Sequence, residues 1–161
     1  MTELLGNLGD FIGGIGVIVT VIYLAMQIRT NTLSTQTSTY QSVVGALSDW
    51  SFTLARDKEM MRIMSVGMAD RTQLDAAEVS QFNMLLVSLM RHYEGIHFQY
   101  LNGFISADAW EGWSSRIRGT LVRPGVLALW EEQKGAFSPA FRRFLEVADP
   151  SQEAAPVPVA F

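Results

Sequence analysis

The chain has 161 residues, a formal net charge of −4 and 17% charged against 48% hydrophobic residues, enough for one domain of ordinary size and an appendage. With a pI near 5.1 and no cluster of Lys or Arg, it is not built for nucleic acid or for peripheral attraction to anionic lipid, both of which need concentrated positive charge. Having no cysteine, it has no disulfides, no thiolate catalysis and no Cys-based zinc or iron–sulfur site.

The first element is the apolar run "GDFIGGIGVIVTVIYLAMQIR", residues 9–29. A cleaved secretion signal needs a positive leader and a small-residue cleavage site. Here the leader carries Glu3 and no Lys or Arg, and the run ends in Gln27-Ile28-Arg29. Residues 11–28 are uncharged and as a helix would extend about 27 Å, close to the ~30 Å of a bilayer core. Their aliphatic residues occupy most of the helix circumference, which suits lipid better than one packed face. The reading is a single transmembrane helix within residues 1–29, in preference to a buried helix of a soluble bundle. Arg29 is the only Lys or Arg close to the span, because residues 30–48 are uncharged. The positive-inside rule therefore sets the N-terminus outside and the remainder in the cytoplasm.

Within this run Gly6, Gly9, Gly13 and Gly16 follow a 3-4-3 spacing that Thr20, Tyr23 and Gln27 continue. Such a spacing places all seven on one line of a helix. Small residues permit close backbone approach between membrane helices, so this line is the candidate helix-packing surface. Asp10 lies near the start of the apolar run. There it reaches headgroups, complements the positive helix N-terminus, or meets a cation on a partner.

Beyond Arg29, "TNTLSTQTSTYQS" has no Gly or Pro, and Leu33, Tyr40, Val44, Leu47 and Leu54 recur at helical spacings. This predicts that the helix continues past the membrane to about Ala55. Met60, Ile63, Met64 and Met68 mark a second helix after Asp57, with core filling as the reading of its methionines. Leu74-Asp75-Ala-Ala-Glu78-Val79 is a capping box with a hydrophobic staple. It opens a helix that should stop at Asn102-Gly103. Ser106 predicts another cap, with Ile105 stapled to Trp110, and Pro124 and Pro139 each suit the first position of a helix. The fold class is therefore all-α: the N-terminal membrane helix, a helical bundle of about five helices over residues 30–148, and a Pro/Ala-rich extended tail over residues 149–161.

Chemistry has one candidate, Glu94 with His97, whose i, i+3 spacing occurs in di-iron carboxylate bundles. A second such pair is missing, since the only other histidine is His92 and residue 89 is leucine. Glu94 and His97 are accordingly read as structural hydrogen-bonding groups or polar contacts to a partner. No nucleophile elbow, Walker A loop or dinucleotide fingerprint is present, and no cofactor is assigned. Trp110, Trp113, Trp130, Phe137, Phe141 and Phe144 make the C-terminal half aromatic, which reads first as core.

The N-terminal run, followed by "RHYEGIHFQYLNG" and "AWEGW", resembles a group of uncharacterised bacterial proteins. These share a Gly-rich aliphatic N-terminal helix ending in Gln-Ile-Arg and a helical C-terminal body. The resemblance implies a bacterial membrane protein and assigns no activity. The expected role is a non-catalytic accessory or scaffolding subunit of a larger assembly in the bacterial inner membrane, with respiratory or photosynthetic machinery as hosts. Its partners would be lipid and the transmembrane helices of other subunits, or further copies of itself. A membrane-anchored, homo-oligomeric sensor or small-ligand-binding bundle is the alternative, and an enzyme with a metal at Glu94 and His97 the third reading.

Overall fold

A computed structural model describes the backbone of residues 2–147 and the side chains of residues 13–147. The chain is all-α, with no strand among the described residues. Helix α1 runs over Thr2–Arg56, α2 over Lys58–Ala69, α3 over Ala76–Leu101, α4 over Ala107–Leu121, α5 over Pro124–Gln133 and α6 over Pro139–Glu146. Single 3-10 turns at Arg71–Gln73 and Lys134–Ala136 precede α3 and α6. The surroundings of Gly6 and Gly9, the side chain of Asp10 and the tail at residues 149–161 lie outside the described residues.

Helix α1 is one uninterrupted rod of 55 residues, about 82 Å at 1.5 Å per residue. The predicted continuation past Arg29 is observed and ends one residue beyond the expected Ala55. Asp57 breaks the rod. Its backbone is extended, and its carboxylate accepts from the N–H groups of Glu59 and Met60, capping α2.

Local signals set the remaining boundaries. Asp75 accepts from the N–H groups of Ala77 and Glu78, and the Glu78 carboxylate accepts from the Asp75 N–H at 2.9 Å, completing the capping box of α3. Glu78 also pairs with Arg62 of α2, so the box ties two helices together. At the far end, Phe104 N–H donates to the Gln99 carbonyl and Gly103 N–H to the Tyr100 carbonyl. This is a Schellman closure, and Gly103 supplies the left-handed residue it needs at φ 74°. Ser106 caps α4, while Pro124 and Pro139 open α5 and α6.

The core lies in the body formed by α2 to α6 and the last turns of α1. Phe82, Leu86, Tyr93 and Ile96 of α3 are almost fully buried, together with Ile63 of α2, Ile117 of α4, Val126 of α5 and Phe141 of α6. Met64 is buried, while Met60 and Met68 are half-buried and Met61 is exposed, so the methionines of α2 largely fill core. Helices α2 and α5 meet backbone to backbone at Gly67 and Gly125. A Cβ on Gly125 would overlap the Gly67 carbonyl oxygen, and one on Gly67 would overlap the Phe82 ring.

Among the described residues of α1, those from Thr32 onward pack on this body. Leu47 is buried, and Val43, Trp50 and Leu54 lie against the core. One polar anchor extends the docking: Gln36 Nε2 donates to the Gly103 carbonyl at 2.8 Å. The glycine that ends α3 thus also holds α1.

Candidate membrane-packing surface

Every described residue of α1 from Gly13 to Asn31 is exposed. Its most apolar 18-residue window has a mean hydropathy of 1.5, and none of that window is covered by the rest of the chain. The helix is long and apolar enough to cross a bilayer. Helices buried in soluble proteins pass the same length test, but they are mostly covered by their own fold. Here Val17, Ile18, Val19, Val21 and Ile22 are each more than half exposed. At about 25 cal/mol per Å² of apolar surface, leaving such a sleeve in water is costly.

The described members of the proposed packing line, Gly13, Gly16, Thr20, Tyr23 and Gln27, are all exposed. A Cβ at Gly13, Gly14 or Gly16 would meet nothing within 4 Å. Among the described residues, no close approach explains these glycines. Thr20 donates its hydroxyl to the Gly16 carbonyl at 2.8 Å. Thr32, Thr35 and Thr37 make the same bond to Ile28, Asn31 and Leu33. The hydroxyl protons of these threonines are therefore satisfied inside the helix, which removes the cost of placing Thr20 in lipid.

The body takes the opposite side of α1. Thr32, Gln36, Thr39 and Val43 are half-buried, whereas Thr30, Ser34, Thr37 and Gln41, which continue the glycine line, are exposed. At 100° per residue the two lines lie on roughly opposite faces of the rod. The body leaves the small-residue line open along its whole described length.

Glu94 and His97 separate in the structure. The Glu94 carboxylate accepts from the Ser138 N–H at 2.7 Å and from Arg91 at 2.7 Å. Arg91 also donates to the Ala136 carbonyl and lies over the Phe137 ring. Together they clamp the turn entering α6 onto α3. Burial pushes the Glu94 pKa up, but the bonds from Ser138 and Arg91 outweigh it and hold the carboxyl below its usual value.

His97 is 3% exposed. Its ring stacks on Phe144 at 4.9 Å and tilts against Trp110 and Phe141. Burial lowers its pKa to about 4, the Glu94 charge opposing and Arg118 adding to the shift. Its own fold encloses His97 among aromatic rings, which agrees with the structural role that is one of its two readings. Among the described residues, no group of three or more His, Asp or Glu is placed to hold a metal.

The enclosed space beside Trp130, lined by Leu86, Met90, Val126 and Phe137, is about 10 Å³. That is the volume of a single water probe, against several hundred Å³ for a small-molecule site. Residues that sequence reasoning did not single out include Gln36, which anchors α1, and Arg118, which donates to the Val147 carbonyl and lies over Phe144. Neither carries a sequence signal, because each partner is set by the fold.

No family model, curated protein or solved structure matches the chain.

Proposed function

We propose that this protein is a non-catalytic, membrane-anchored accessory or scaffolding subunit that packs into a larger membrane assembly. The observation that carries the reading is the bare sleeve of α1, whose small-residue line, from Gly13 to Gln27, faces away from the body and is exposed throughout. An anchor alone needs only apolar bulk. A line of glycine, threonine and tyrosine at helix-packing spacing serves a neighbouring helix. Arg29 supports an orientation with the N-terminus outside and the body in the cytoplasm. The bacterial inner membrane as location rests on the resemblance noted above.

The test is native-membrane purification in mild detergent, with identification of copurifying subunits, for the natural protein and for Gly13→Leu with Gly16→Leu. A Cβ at either position meets nothing within 4 Å and both positions lie on the exposed sleeve away from the body, so the fold of the body should be unchanged. Expected is the loss of copurifying membrane subunits in the double variant. A natural protein that migrates alone, or a variant that retains the same subunits, removes the proposal.

A further inference from the structure

A second periodic strip on α1 shares Tyr23, Thr30 and Thr37 with the small-residue line and departs from it at Val19, Met26, Leu33, Tyr40 and Val44. Val19, Tyr23, Met26, Leu33, Tyr40 and Val44 are 59%, 65%, 65%, 64%, 42% and 37% exposed. With Thr30 and Thr37, also exposed, they alternate at intervals of four and three residues for nearly four heptads. Sustained a/d spacing of this kind is the signature of a left-handed coiled coil. Thr37 returns its hydroxyl to the Leu33 carbonyl and so offers its methyl group to the strip.

Lipid covers the lower half of the strip and not the upper. Tyr40 and Val44 lie 11 and 15 residues beyond Arg29, about 16 and 22 Å along the axis. The polar zone of a bilayer leaflet is only ~6 Å deep. The body covers this upper end only in part, since its packing is centred on the Gln36–Val43 side, about a quarter-turn away, and Tyr40 and Val44 stay exposed. The strip then runs into an open groove between α1 and α4, lined by Tyr40, Val44, Phe52, Trp113 and Arg116.

We infer that a second copy of this chain covers the strip, forming a parallel dimer of α1 helices that continues from the bilayer to the groove beside α4. Membrane insertion gives every copy the same orientation and depth, so identical strips stand at the same height. In a parallel pair each residue meets its own counterpart, which charged positions would oppose. The strip has no charge: between Gly13 and Ser48 the only one is Arg29, on the strip's flank. Two-fold symmetry sends the two bodies to opposite sides of the helix pair. The line of Gly13, Thr20, Gln27 and Ser34 remains open on the flank of the pair for another helix. The depth argument rests on α1 spanning a membrane, as in the proposed function.

Because the chain has no cysteine, single-cysteine variants give an unambiguous readout. Leu33→Cys, Tyr40→Cys, Thr32→Cys, Thr39→Cys, Ser34→Cys and Gln41→Cys are made in the full chain and oxidised in intact membranes. Disulfide-linked dimer is expected at positions 33 and 40, at least ~5-fold above positions 32 and 39, which face the body. Absence of dimer, a uniform yield, or a maximum at 34 and 41 overturns the inference. The outcome is separable from the accessory reading. Cross-linking at 33 and 40 without copurifying subunits keeps the dimer and removes that reading, and the converse result does the opposite.

Discussion

At the residue scale, Glu94 and His97 show how far a spacing carries. An i, i+3 pair shares one side of a helix, and that much is legible in the sequence. The structure then gives the two residues different neighbours. Glu94 is held by the start of α6, and His97 by the rings of Trp110 and Phe144. Burial has a consequence in acid. The folded His97 pKa of about 4 lies below the ordinary histidine value of 6.5, so between these limits the unfolded chain binds a proton that the folded chain refuses. Stability is fully present above pH 6.5 and is lost as pH falls towards 4, by roughly 3 kcal/mol at most. Thermal melts of the protein in detergent should show this loss, and His97→Phe should flatten the profile over that window. The lowered pKa of Glu94 adds a further loss only below its ordinary value of 4.5.

At the element scale, start and stop signals read from the sequence are the ones the structure uses. Asp75 with Glu78, Ser106, Pro124, Pro139 and Gly103 all act within a few residues of themselves, which is why they are readable. The crossing of α2 and α5 is not of that kind. Gly67 and Gly125 are 58 positions apart, and nothing local marks them as neighbours. Gly125→Ala should lower body stability by about 3 kcal/mol, the upper end of ordinary overpacking, because the atom in the way is backbone. Gly45→Ala, in open space on α1, should instead be neutral or stabilising by up to ~1 kcal/mol. Parallel thermal melts compare the two. Equal effects would mean that the α2–α5 contact is looser than described.

On the scale of the whole molecule, α1 has two unlike parts. Its C-terminal turns belong to the core of the body, through Leu47, Trp50 and Leu54, while residues 13–31 are exposed. A rod of this length with a bare apolar sleeve is stable in a bilayer and a liability in water. Val17→Lys with Val21→Lys should cost about 6 kcal/mol of insertion free energy. After alkaline extraction the natural protein should remain in the membrane pellet and the double lysine variant should move to the supernatant. A natural protein found in the supernatant would refute the span.

The sequence by itself determined the all-α class, the helix boundaries, the apolar run and the line of small residues. These depend on spacing and on neighbours within a turn or two, and a helix converts such spacing directly into faces. Tertiary structure alone decided which face of α1 the body occupies. It did so through Gln36 reaching the carbonyl of Gly103 and Leu47 entering the core. That choice left both the glycine line and the Leu33–Tyr40 strip uncovered. No periodicity could have predicted it, because each is a face of the same rod and only long-range packing selects between them.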